Sequence, residues 1–119
     1  MAGVDGKPRM VLDGDGVTGP SPAATLILAF GACTAADVVD ITGKMRVTLG
    51  ALDLTVEGDR AAQPPRRYTR IVLRYRAAGV AANDQDKVRR AIDLSHDKYC
   101  SVLHTLREDL EIGTHLEFV

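Results

Sequence analysis

Neither sign of charge is in excess, since fifteen Lys and Arg residues stand against sixteen Asp and Glu for a formal charge of -1. Such a chain offers no general attraction to a phosphate backbone or an anionic bilayer, so neither nucleic acid nor a membrane is an expected partner. Long hydrophobic runs are also missing. The longest apolar stretch, roughly Ala23 to Ala36, is interrupted by Thr25, Gly31 and Thr34, so it is too short to cross a bilayer and is expected to be a buried helix. Met1 to Val17 alternates Gly, Asp and single apolar residues with no leader-like segment, which makes a cytoplasmic location the expectation. Internal repeats and low-complexity tracts are absent. Cysteine is scarce, at two residues. In an unsecreted chain these would remain reduced, which excludes a permanent disulfide as the default and directs attention to redox or catalytic use.

What is present is an ordinary globular mixture, 45 % apolar and 26 % charged over 119 residues, consistent with one domain over residues 1–119. After an extended segment near Met10 to Leu12, Asp13-Gly14-Asp15-Gly16 reads as a turn. Ser21 and Pro22 open a helix predicted to run to about Ile41. Its small apolar residues leave no broad solvent face, and so short a chain would struggle to cover it alone, which is a physical reason to expect a homodimer. Leu52, Leu54 and Val56 alternate with Asp53, Thr55 and Glu57 within a strand predicted over Val47 to Gly58. Beyond Pro64-Pro65, Ile71, Leu73 and Tyr75 alternate with Arg70, Arg74 and Arg76, giving an antiparallel neighbour. Asn83 and Asp84 are capping candidates for a helix with Val88, Ala91, Ile92, Ser95 and Tyr99 on one stripe. Ser101 is predicted to cap a short helix, and Gly113 to introduce a last strand, Thr114 to Val119, with Leu116 and Phe118 inward. The predicted class is α+β, an antiparallel sheet packed on a long central helix.

Cys33 lies in the central helix among Gly31, Ala32 and Thr34, whose small side chains would leave room for a substrate; the alternative is a small core hydrophobe. Cys100 falls at a helix junction, where free N–H groups and the following helix dipole would favour a thiolate, unless it is a half-buried packing residue. If the sulfurs meet, one thiolate can attack an O–O bond and the other can condense with the sulfenic acid. His96, Cys100 and His104 would align for a metal on an unbroken helix, but a predicted break near Tyr99 removes that alignment, so surface histidines and no metal are expected. Arg66, Arg67, Arg70, Arg74 and Arg76 are read as a solvated face rather than an anion site. Asp37 and Asp40 could orient a catalytic group, but are read first as marking where the helix reaches water.

Gly19-Pro20-Ser21-Pro22, Gly31-Ala32-Cys33-Thr34-Ala35-Ala36-Asp37-Val38-Val39-Asp40-Ile41 and Ala91-Ile92-Asp93-Leu94-Ser95-His96-Asp97-Lys98-Tyr99-Cys100-Ser101-Val102 together resemble the OsmC/Ohr family. The Lys-Tyr-Cys-Ser-Val string is most like its YhfA-like branch. The resemblance covers roughly Val11 to Val119. It implies an intertwined homodimer and a thiol-dependent peroxidase in oxidative stress defence. Cys33 would be the peroxidatic nucleophile and Cys100 the resolving thiol. It further implies an organic hydroperoxide as substrate, no bound cofactor, and an external dithiol as reductant, which in Ohr-type members is a lipoyl dithiol. Family peroxidases carry a glutamate near the start of the central helix and an arginine from an N-terminal segment. Here Ala23 and Ala24 stand at the first place, and only about twenty residues precede the helix, so the first strand would be missing. The second reading is therefore a non-catalytic protein of the same fold, binding an apolar small molecule or acting as a redox sensor.

Overall fold

The computed structural model describes Gly3 and residues 5–119; Met1, Ala2 and Val4, part of the segment in which no leader is expected, lie outside the described residues. The first long element forms as its capping pattern predicts. Ser21 Oγ accepts the Ala24 N–H at 3.1 Å and Pro22 takes the first helical position, where no N–H is needed. This helix, α1, is Pro22–Lys44. It passes the predicted end at Ile41 because Thr42 returns its hydroxyl to the Val38 carbonyl at 2.7 Å and Lys44 pairs with Asp40 at 3.1 Å, a cation suited to the negative end of the helix dipole. By length and composition α1 is sufficient to cross a bilayer, contrary to the reading of its apolar stretch as too short. Its packing on the sheet and on the later helices nevertheless makes it the core helix of an α+β fold.

Strand β1, Ala51–Arg60, pairs antiparallel with β2, Tyr68–Ala78. β1 therefore begins later than Val47, which lies buried in the preceding segment. The alternation is as predicted: Leu52, Leu54 and Val56 turn inward with Ile71, Leu73 and Tyr75, the last three 1 % exposed or less. β3, Glu111–Phe118, lies on the other side of β2 and pairs parallel to it, Ile71 opposite Ile112 and Tyr75 opposite Leu116. The sheet is thus mixed, in the order β1-β2-β3, rather than wholly antiparallel. Gly113 lies inside β3 rather than before it.

The β2–β3 crossover carries the remaining helices. A 3₁₀ turn at Ala82–Asp84 leads into α2, Gln85–Leu94. Asp84 occupies the cap position without a side-chain cap bond and reaches Lys87 at 3.4 Å instead. Val88, Ala91, Ile92 and Ser95 are buried as predicted, but Tyr99 is half exposed. The α-helical spacing stops at Ser95, where residues Ser95–Tyr99 widen into a π turn and the Cys100 N–H donates to the Ser95 carbonyl at 2.8 Å. That extra residue per turn faces Tyr99 to solvent and Cys100 into the core. The short helix α3, Ser101–Thr105, follows.

Candidate functional site

Two elements bring the cysteines together. Cys33 stands on α1, and Cys100 sits where the π turn meets α3. The Cys33 Sγ, the Cys100 Sγ and an Asp37 carboxylate oxygen all lie within 4.8 Å of one another. Asp37 follows Cys33 by one helical turn and so shares its face. The sequence reading of Asp37 as a marker of solvent does not hold: it is half buried and its Oδ2 accepts the hydroxyl of fully buried Ser95 at 2.8 Å. Asp40 does mark the solvent face.

The small residues beside Cys33 serve packing more than space. A Cβ on Gly31 would lie 2.5 Å from Val56 Cγ2, so only glycine lets α1 approach β1 this closely. Thr34 is buried, and its hydroxyl is hydrogen-bonded to that of Tyr75. The Tyr75 hydroxyl also meets His96 Nε2 at 3.1 Å. Burial pushes the Tyr75 phenol up to about 12 and lowers His96, against the opposing pull of Asp93 and Asp97. The Tyr75–His96 link was missed from the sequence, which placed the histidines on the surface. Tyr75 on an otherwise apolar stripe was its only signal, because a buried hydroxyl requires a partner. Among the described residues no buried side-chain polar atom lacks one.

The two thiols are treated oppositely. Cys33 is half buried, with Ser101 Oγ 3.7 Å from its sulfur. The Val102 backbone N–H lowers its pKa most; burial opposes this, while Ser101 and Cys100 assist. Cys100 is fully buried, and that burial pushes its thiol up to about 11. Its sulfur is the N-cap of α3, accepting the Leu103 N–H at 3.4 Å, a role predicted for Ser101. The expectation that free amides at this junction favour a thiolate is therefore corrected: the sulfur they favour is Cys33, because desolvation outweighs them at Cys100.

The metal alignment of His96, Cys100 and His104 is broken as predicted, since His96 is committed to Tyr75 and His104 is exposed on α3. Three of the arginines form the solvated sheet face, with Arg74 on Glu57 at 2.9 Å, Arg70 on Glu111 at 3.5 Å and Arg76 on Glu117 at 3.4 Å, whereas Arg66 and Arg67 precede β2 and line a groove. This groove of about 390 Å³ lies between Leu26, Tyr68, Ile71, Leu106 and Leu110, and Arg60, Arg66, Arg67 and Arg107 also line it. Leu26 precedes Cys33 by two helical turns, about 10 Å along α1.

A family model described as "OsmC-like protein" matches residues 13–115. The chain is 35 % identical to Protein YhfA of Escherichia coli strain K12 over 112 residues, 93 % of this chain and 83 % of that protein. A solved structure of a hypothetical protein from Aquifex aeolicus VF5 superposes with a TM-score of 0.78 at 28 % identity, covering 87 % of this chain and 76 % of that one. An organic hydroperoxide resistance protein from Elizabethkingia anophelis superposes with a TM-score of 0.68 at 13 % identity, over 86 % and 71 % of the two chains, a likeness of fold.

Proposed function

This chain belongs to the OsmC-like family, and on that premise we propose that it reduces organic hydroperoxides with Cys33 as the attacking thiol and Cys100 as the resolving one. The observation that carries this reading is the placement of the two free sulfurs side by side, Cys33 half open with Ser101 Oγ 3.7 Å from its sulfur and Cys100 fully buried. A thiolate at Cys33 attacks the terminal peroxide oxygen; the O–O bond breaks, the alcohol leaves with one proton, and Cys33 becomes a sulfenic acid. The Cys100 thiol then attacks that sulfur. A disulfide forms and water departs, taking the Cys100 proton with the sulfenic hydroxyl. An external dithiol, of the lipoyl kind, restores both thiols and is itself oxidised to a disulfide.

The groove at Leu26, Tyr68 and Leu110 supports an apolar peroxide. Leu26, Leu28 and Val39 are exposed on α1, which supports a homodimer that covers them, in the cytoplasm. Ala23 and Ala24, where family peroxidases carry glutamate, favour a second reading in which the same thiols serve a slow redox sensor or a ligand-binding protein.

A thiol titration before and after one equivalent of cumene hydroperoxide, followed by peptide mapping, tests the proposal. Rapid loss of both thiols with a Cys33–Cys100 disulfide is expected. Slow loss that a dithiol cannot cycle selects the second reading, and a Cys33→Ser protein that consumes peroxide at the wild-type rate overturns the first.

A further inference from the structure

Asp37 is the member of the thiol cluster that peroxide reduction does not use. Its carboxylate lies within 4.8 Å of both sulfurs, in a site whose chemistry already places negative charge on sulfur. Like charges gathered in a half-buried site are costly, and a cation among them removes the cost. We propose that the reduced protein binds one Zn²⁺ ion through Cys33 Sγ, Cys100 Sγ and an Asp37 carboxylate oxygen, with water in a fourth position.

The donor set has the chemistry of such a site. Two thiolates select a thiophilic ion over Mg²⁺ or Ca²⁺, and two sulfurs with one carboxylate plus an open position match the three-ligand sites of zinc proteins. Zn–S and Zn–O bonds of about 2.3 and 2.1 Å place tetrahedral ligands roughly 3.5–3.8 Å apart, so atoms that lie within 4.8 Å of one another need close by no more than about 1.3 Å, within side-chain rotation. The supporting shell is already built. Ser95, fully buried at the start of the π turn, donates to Asp37 Oδ2 at 2.8 Å and so holds the carboxylate in place. Its carbonyl accepts the Cys100 N–H at 2.8 Å, so one residue orients two of the three ligands. Asp37 also lines an open groove of about 430 Å³ with Asp40, Ile41, Lys44, Leu94 and Tyr99, which brings solvent to one of the three ligands. Binding displaces the thiol protons to water. Where the redox reading of the pair holds, a Cys33–Cys100 disulfide has no thiolate to offer, and oxidation releases the ion.

Co²⁺ is the probe: the fully reduced chain, kept without oxygen, is titrated while sulfur-to-cobalt charge-transfer absorption is followed. Saturation at one equivalent and displacement of the band by Zn²⁺ are expected. Cys33→Ser should lose most of the band, Asp37→Asn should weaken binding at least about tenfold, and Ser95→Ala should weaken it about tenfold through the outer shell. Circular dichroism checks that each variant is folded, and Ser95→Ala tests the site with all three ligands kept. Absence of a saturable band overturns the proposal, as does Co²⁺ affinity unchanged by both Asp37→Asn and Ser95→Ala. An Asp37→Asn protein that binds Co²⁺ normally but forms its disulfide slowly assigns Asp37 to the thiol chemistry instead. Peroxide-driven thiol loss, measured with a chelator present, reports separately on the redox pair.

Discussion

Cys33 and Cys100 are neighbours in space, yet their surroundings have opposite effects. Cys33 is held on a rigid helix, half open, and the Val102 backbone amide is the largest influence lowering its pKa. Cys100 belongs to an irregular junction, is fully enclosed, and caps the next helix with its sulfur. A thiol pair needs this inequality, since the attacking sulfur must ionise while its partner waits as a thiol until a sulfenic acid appears. Separation along the chain tells nothing of it; the difference comes from which backbone amides remain free at the start of α3 and which sulfur burial reaches first.

The inequality can be broken most directly by removing either sulfur. Cys33→Ser is expected to lower the rate of peroxide consumption by about 10³-fold or more. Cys100→Ser should keep one stoichiometric turnover, leave a sulfenic acid trappable by dimedone, and lose cycling with a dithiol. Equal loss in the two variants, measured by stopped-flow thiol chemistry, would erase the distinction. Gly31→Ala tests the close approach of α1 to β1. The added methyl meets Val56, so overpacking should cost about 1–3 kcal/mol, set against about 1 kcal/mol of helix propensity gained. Urea unfolding and a slowed Cys33 reaction are the measures.

A smaller effect comes from the polar stack beneath Cys33. Burial lowers the folded-state pKa of His96 below its ordinary 6.5, so the unfolded chain binds its proton more readily. The stability that neutral His96 provides is complete above about pH 6.5 and falls as pH drops through its lower folded value. His96→Gln should flatten that slope in urea titrations between pH 7 and 5. At the far end, Arg74→Ala breaks an exposed pair with Glu57 on the solvated face and should change stability by no more than about 0.5 kcal/mol.

Local chemistry made the start of α1 and both strands of the β1–β2 pair readable in the sequence. Ser21 with Pro22 names a helix start by what each can and cannot hydrogen-bond, and alternation at Leu52, Leu54, Val56, Ile71, Leu73 and Tyr75 names a face. The direction of β3 was not readable, because the alternation of Leu116 and Phe118 is the same whether the strand runs parallel or antiparallel; the path of the crossover through α2 and α3 decides it. The π turn escaped for a related reason. Helical periodicity carried Tyr99 into the core, whereas one additional residue per turn puts Cys100 there instead. Cys33 and Cys100 were named as a pair through resemblance, since separation along the chain cannot show a meeting. The contact of Ser95 with Asp37 depends on how α1 lies against the π turn, which only the assembled fold sets.

The parallel pairing of β2 with β3 also governs how the molecule is made. Apart from Asp37 on its own helix, the groups described against Cys33, namely Cys100, Ser101 and Val102, lie in the crossover between those strands. Synthesis delivers α1 and the β1–β2 hairpin first, so a nascent chain carries Cys33 without the partners that enclose it. The crossover packs on α1 through α2, the π turn and α3, and its arrival converts an unguarded thiol into an assembled pair. Maturation of the site therefore waits on the crossover, and a ribosome-bound chain stalled before α2 would present Cys33 to any oxidant or foreign thiol in its surroundings.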